Sequence, residues 1–167
     1  MKTFPKGLSK ILELVDSDGS RPFDRLERGK PSANGREAVA ASGLEPLVQG
    51  ALYLYFDCFE EAHDIANANE GTAAGNWIHA ILHRREPDAG NSKYWYHRVK
   101  LPDEVVREII GEILKLKGNE ILRSWEPAVF VDACEKARKK SKEDQAYQGL
   151  TKIQEIEWRV LLGFVLG

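Results

Sequence analysis

Apolar residues recur along most of this chain at the three- and four-residue spacing of amphipathic helices. The clearest example is the segment 103–117. Its apolar positions fall on one helical face: Val105, Val106, Ile109, Ile110, Ile113 and Leu114. No stretch shows convincing alternation of apolar and polar residues between turn signals, which is the pattern of a half-buried strand. The sequence therefore predicts an all-α fold, built as a multi-helix bundle.

The same pattern divides the chain into helices and connecting segments. Helices are predicted over these ranges: 6–15, 44–69, 72–85, 103–117, 119–124, 126–140 and 142–166, with a short helical turn over 91–99. The segment 16–35 is rich in Gly, Pro, Ser and charged residues, and it is predicted to be a loop or extended N-terminal arm. A chain of 167 residues can bury roughly 70% of its unfolded surface, which suffices for one core. We therefore expect a single helical domain over residues 1–167.

The segment 44–69 is predicted to be one long central helix. On a helical wheel its apolar arc is about 200° wide, which indicates contacts on more than one side. His63 falls inside this arc, between Leu52 and Phe56. Its imidazole is therefore expected to point inward, towards the helix predicted over 72–85.

Charge and hydropathy exclude several classes of partner. The chain carries 24 basic and 26 acidic residues, for a net charge of −2, whereas general nucleic-acid binders usually have a basic excess. The basic run 136–142 is flanked by acidic residues and is interpreted as a solvated helix junction. The apolar run 160–166 is far shorter than the ~20 residues that span a bilayer, and no signal peptide is evident. We expect a cytoplasmic protein with no nucleic-acid or membrane partner, and the oligomeric state stays open.

The candidate chemistry is concentrated around the histidines. All four of them lie within a 35-residue window, His63, His79, His83 and His97, which random placement would produce in about 4% of cases. His79 and His83 are i, i+4 neighbours on the predicted helix 72–85, so their imidazoles can reach one point. With an inward-pointing His63, they predict a polar pocket between this helix and the central one.

The preferred interpretation is a pocket without a cofactor that binds, and in one version turns over, a small polar or anionic molecule. A neutral His63 would act as general base, with His79 or His83 as its partner and an acidic residue fixing a tautomer. Arginines would hold a carboxylate or phosphate, and a tryptophan would stack on a planar or sugar face. The residues assigned to catalysis are His63, His79, His83 and Glu86. The residues assigned to ligand binding are Trp77, Arg84, Arg85, Asp88, Asn91 and Trp95.

Two alternatives remain open. Three converging imidazoles can hold a divalent transition metal such as zinc, iron or nickel, which would make the protein a metal-dependent enzyme with His63, His79 and His83 as ligands. In the other, His63 is a core residue, and Arg84 and Arg85 only complement the dipole at a helix end. The protein would then be a structural or interaction protein whose apolar C-terminal helix serves a partner.

A long motif begins at Trp77 and reads W-x-H-A-I-x-H-R-x-E-P-D-x-x-N-x-x-Y-W, after a preceding Glu61-Ala62-His63. In these residues, and over about 44–100, the chain resembles a family of uncharacterised bacterial proteins that has no established activity. The resemblance implies a shared central helical unit. It implies no reaction, ligand or cofactor, and it does not extend to the ends of the chain or to the arm.

Overall fold

The computed structural model describes residues 6–14, 23–116 and 124–167. Within these ranges the chain forms nine α-helices and no strand, which confirms the predicted all-α multi-helix bundle. The helices are α1 (Lys6–Leu12), α2 (Ala33–Ala40), α3 (Pro46–Tyr55), α4 (Phe59–Ala68), α5 (Ala73–Arg85), α6 (Ala89–Arg98), α7 (Asp103–Leu114), α8 (Pro127–Ala137) and α9 (Gln145–Leu166). None of the helices in the described ranges is long and apolar enough to cross a membrane.

The core lies where α3, α5 and α9 pack against one another. Fully buried aliphatic side chains come from all three helices: Leu52, Leu54, Ile78, Ile81, Leu161 and Leu162. Trp158 of α9 joins two of them, because its Nε1 donates to the Ala51 carbonyl of α3 at 2.7 Å. The apolar face of the C-terminal helix therefore packs largely within this chain.

The prediction of one central helix over 44–69 is wrong, because the chain turns between α3 and α4. Asp57 adopts a left-handed backbone conformation with φ of 57°, which cannot continue a helix. The N–H of Cys58 returns to the Tyr53 carbonyl at 2.9 Å and closes the turn. Periodicity misses the break because Phe56, Cys58 and their neighbours are buried too. The apolar arc on the helical wheel was wide because it combined the apolar faces of two shorter helices, α3 and α4.

Local capping explains where α5 and α6 begin. Thr72 accepts a hydrogen bond from the Gly75 N–H at 3.0 Å and caps α5. Asp88 does the same for α6 by accepting from the Asn91 N–H at 3.0 Å. The region predicted as a short helical turn is thus a capped helix of 10 residues. Of the helix predicted over 119–124, only Ser124 lies within the described residues.

The described part of the arm is pinned across the body. Residues 16–22 lie outside the described ranges, residues 23–32 are not helical, and α2 begins at Ala33. Phe23 and Leu26 are buried, and the Leu26 N–H donates to the Tyr147 hydroxyl at 3.0 Å. The described part of the arm therefore packs as part of the core and contacts α9.

Candidate functional site

A cluster of polar side chains lies where α4 and α6 each pack against α5. We call it the histidine cluster, and its members are His63, Asn67, His79, His83, Asn91 and Trp95. The ring centroids of His63 lie 5.0 Å from His79 and 5.8 Å from His83, and those of His79 and His83 lie 6.0 Å apart. The two α5 histidines are buried, whereas the residues from α4 and α6 are partly or fully exposed. The cluster thus has a buried floor and an open rim.

Each of the three helices contributes one i, i+4 pair to the cluster. The pairs are His63 and Asn67 on α4, His79 and His83 on α5, and Asn91 and Trp95 on α6. Residues four apart lie on the same face of a helix. Three such faces turned towards one another are enough to bring the six side chains together.

Asn67 links two of the imidazoles. Its Nδ2 lies 3.2 Å from His63 Nδ1, and its Oδ1 lies 3.1 Å from His79 Nε2. With the amide in this orientation, His63 accepts at Nδ1 and carries its hydrogen on Nε2, and His79 donates from Nε2. His79 Nδ1 is then a buried acceptor, and it has no hydrogen-bond partner within the described residues. Sequence analysis missed Asn67, although its position four residues after His63 was a signal for it.

The third imidazole is oriented by an acidic residue and a second amide. His83 Nδ1 lies 3.2 Å from Glu86 Oε2, and Asn91 Nδ2 lies 3.3 Å from His83 Nε2. Glu86 also lies 3.7 Å from the guanidinium of Arg28, whose other nitrogen donates to Glu60 at 2.6 Å. This corner of the site therefore combines one guanidinium with two carboxylates.

Burial keeps the floor of the cluster uncharged. It is the main cause that lowers the pKa of His79 from 6.5 to about 4, and the neighbouring His63 and His83 lower it further. Burial also lowers the pKa of His83, although Glu86 opposes the shift. The His79 ring is therefore neutral at pH 7, so it can donate or accept a hydrogen bond but does not attract an anion by charge.

Trp95 lies over the floor. Its ring is stacked on His79 with centroids 4.0 Å apart and planes 13° from parallel. Arg98 lies 5.7 Å from the centroid of the same indole. Trp95 therefore belongs to the cluster, and one face of its ring covers a histidine. Asp88, another predicted ligand-binding residue, acts as the cap of α6 at the rim.

Three predicted site residues lie away from the histidine cluster. Trp77 and Arg84 point to the opposite face of α5, where they meet Tyr96 of α6 and Glu157 of α9. We call these four residues the buried ionic cluster. Glu157 accepts hydrogen bonds from Trp77 Nε1 at 2.9 Å, from Arg84 Nη1 at 2.6 Å and from the Tyr96 hydroxyl. Arg84 and Glu157 have no exposed surface, so Arg84 is not placed to hold an anion beside the histidines.

Arg85 has a different set of buried partners. Its guanidinium lies 2.8 Å from the Asp57 carboxylate and donates to the carbonyls of Leu54 and Glu27 at 3.0 and 3.1 Å. It also lies 4.4 Å from the Phe23 ring centroid. Arg85 thus fastens the arm and the α3–α4 turn to α5. Both arginines lie in the last turn of α5, where the structural alternative assigns them to the helix dipole, and both also form buried ion pairs, with Glu157 and Asp57.

Sequence analysis missed Glu157, the acceptor at the centre of the buried ionic cluster. A signal for it was present, because Glu157 lies four residues from Ile153 and from Leu161, which are both core positions. A carboxylate on an apolar helical face requires a buried donor. The sequence around Glu157 does not identify this donor, because one of the donors, Arg84, lies 73 positions away along the chain.

Within the described residues, the donor atoms that a metal ion would need are not assembled at one point. In the ranges 6–14, 23–116 and 124–167, no group of three or more His, Cys, Asp or Glu side chains is arranged to hold a metal ion. On two of the expected ligand residues, one ring nitrogen faces the Asn67 amide, namely His63 Nδ1 and His79 Nε2. Metal ligation through these two nitrogens would require a rearrangement of this amide.

Comparison of the chain with protein-family models, curated proteins and solved structures finds no match. Function can therefore be inferred only from the chemistry of the site. The resemblance over 44–100 stays a prediction.

Proposed function

We propose that the histidine cluster binds a small polar molecule, uncharged or cationic, and that His83 exchanges a proton with it. The observation that supports this most directly is the open side of the cluster. His63 is half-buried, and its Nε2 has no hydrogen-bond partner within the described residues. It lies beside two buried imidazoles that are held by side chains and not by the backbone. A histidine kept only for packing is more commonly closed off by core atoms.

Local charge supports an uncharged or cationic ligand over the anionic one considered from the sequence. The acidic groups at the rim are Glu60, Glu86 and Asp88. The cations beside the cluster are Arg28, which lies near two of these acids, and Arg98, which lies over Trp95 and 3.5 Å from Glu70. Arg84 and Arg85 bind carboxylates elsewhere. An anion entering here would face more negative than positive charge, whereas a hydroxyl or amino group would find both donors and acceptors.

His83 is the residue best prepared for proton transfer. Its Nδ1 lies 3.2 Å from the Glu86 carboxylate, and Asn91 Nδ2 lies 3.5 Å from Nδ1 and 3.3 Å from Nε2 of the same ring. A hydrogen on Nδ1 faces the carboxylate and leaves Nε2 as the acceptor. The Asn91 contact of 3.3 Å is long for a hydrogen bond, so a ligand donor can replace it at little cost. A carboxylate that orients an imidazole in this way also stabilises the imidazolium formed when the ring takes a proton.

The test follows the imidazole nitrogens directly. Protein labelled with ¹⁵N-histidine is titrated with ethanolamine and with glycerol, and separately with inorganic phosphate, while the ring nitrogen signals are recorded. Ethanolamine or glycerol should shift the signals of His63 and His83 saturably, and phosphate should not. His97, an exposed histidine on α6, is the internal control and should not move.

Variants decide whether those shifts report binding at the cluster. His83→Gln and His63→Gln should each weaken the response, whereas His97→Gln should leave it intact. Saturable shifts with phosphate alone would overturn the proposed ligand class. Unchanged His63 and His83 signals with every titrant would overturn the proposed site.

A further inference from the structure

A cleft of about 370 Å³ opens on the far side of α5 from the histidine cluster. Its walls include three aromatic rings, Trp77, Tyr96 and Trp125, and the aliphatic side chains of Val99 and Val106. Lys100 is the charged residue in the lining. Small-molecule sites are typically concave, mostly apolar and of about 300–1,000 Å³, with a few polar groups that set orientation. The cleft has both the size and the composition of such a site.

The aromatic walls are held in place by contacts behind them. Glu157 accepts from Trp77 Nε1 and from the Tyr96 hydroxyl, so the polar atoms of both rings are already paired away from the cleft. Trp125 packs on Phe130 with ring centroids 5.5 Å apart. The three rings retain little exposed surface and are fixed by the core. Trp77 has no exposed surface and lies behind the wall, while the 7% and 8% of Tyr96 and Trp125 that stay exposed are preorganised, which reduces the entropy lost when a ligand binds.

Lys100 supplies a charge that the fold does not use. Its side chain is exposed, and its Nζ makes only a long contact of 3.4 Å with the His97 carbonyl. It forms no ion pair with any residue in the described ranges, whereas the nearby Arg98 lies 3.5 Å from a carboxylate of Glu70. An ammonium group beside an apolar cleft favours a ligand with an apolar body and an anionic end.

We infer that this cleft binds an apolar carboxylate, with the apolar body among Val99, Val106 and the exposed parts of Tyr96 and Trp125 and the carboxylate at Lys100. This ligand class differs from that of the histidine cluster, and the two sites lie on different faces of α5. The inference therefore does not depend on the proposed function. The apolar walls select an apolar body, and the ammonium selects a negative charge.

Calorimetry with a matched pair of probes tests the inference. Naphthalene-2-carboxylate should bind with a dissociation constant below about 1 mM. 2-Naphthalenemethanol has the same ring system without the charge, and it should bind about three- to tenfold more weakly. Equal affinities for the two probes, or no heat of binding from either up to several millimolar, would overturn the inference.

Two variants separate the roles of charge and shape. Lys100→Gln should remove the preference for the carboxylate and leave binding of the alcohol unchanged, while Lys139→Gln, at an exposed lysine outside the cleft, should change neither. Val106→Trp should fill the cleft and weaken both probes. Because Val106 is half-buried, the melting temperature of Val106→Trp is measured in parallel. If Val106→Trp is unstable, Lys100→Gln alone decides the test. A carboxylate preference that survives in Lys100→Gln contradicts the assignment.

Discussion

The two faces of α5 use polar residues in opposite ways. On one face, Glu157 receives three donors and closes the buried ionic cluster against the core. On the other, His79 and His83 are held by side-chain amides and one carboxylate at a site with an open rim. On the closed face, the hydrogen-bonding groups are paired with one another and stabilise the fold. The open face keeps imidazole chemistry within reach of solvent, so the two faces should respond differently to substitution, pH and metal.

The largest effect is expected from the closed face. Glu157→Ala leaves Arg84 as a buried cation without its carboxylate, and it should lower the free energy of unfolding by ~3–5 kcal/mol. Glu155→Ala is the matched control on the same helix, since this exposed acid lies 3.2 Å from Arg159 and its loss should matter little. Urea unfolding measures both variants. Similar losses in the two would contradict the structural role of the buried ionic cluster.

The buried imidazole of His79 on the open face should make the free energy of unfolding depend on pH. His79 has a pKa of about 4 in the folded state against 6.5 ordinarily, so between these values the unfolded chain binds the extra proton. Its contribution is therefore fully present above pH 6.5 and is lost as the pH falls towards 4, by at most ~3 kcal/mol.

Unfolding free energies measured from pH 7 to 4 test this dependence. His79→Phe keeps an aromatic ring against Trp95 and should make the profile flatter, while His97→Gln, at an exposed histidine, should follow the native profile. A native-like slope in His79→Phe would show that this imidazole is not the group responsible.

Within the histidine cluster, substitutions on the floor should destabilise the protein more than substitutions at the rim. His83→Ala removes a buried ring with two side-chain partners and should lower stability by about 1–2 kcal/mol. His63→Ala should have a smaller effect, because this half-buried ring has one bonded nitrogen. Thermal melts of the two variants make the comparison. If His63→Ala melts far below His83→Ala, His63 is a packing residue and its assignment to the site is wrong.

The smallest expected effect concerns metal. Asn67→Ala frees His63 Nδ1 and His79 Nε2, the two nitrogens that now face the amide. Zinc affinity should then rise roughly fivefold, which equals about 1 kcal/mol. Asn69→Ala is the control, because this asparagine bonds the Ile65 carbonyl and no histidine. Titration calorimetry with zinc measures both. Elemental analysis of the unaltered protein addresses the metal alternative itself, and a stoichiometric transition metal would favour it.

Several features of the fold could be predicted because their signals are local. The helix over 103–117 was evident from apolar spacing, and α7 occupies Asp103–Leu114. The motif placed His79 and His83 one turn apart, which any helix there guarantees. Thr72 caps α5 within the range predicted for it. Such features depend on residues three or four apart, so they survive without knowledge of the rest of the fold.

Only the tertiary structure decided how those helices use their polar residues. The break at Asp57 depends on local backbone conformation and on Arg85, 28 positions later, while the apolar pattern runs through it unchanged. The adjacent Arg84 and Arg85 look equivalent in sequence, yet one meets Glu157 of α9 and the other Asp57. A one-residue step rotates a helical side chain by 100°, so neighbours enter different environments. Which environments those are is settled by the packing of distant helices, and periodicity carries no information about that.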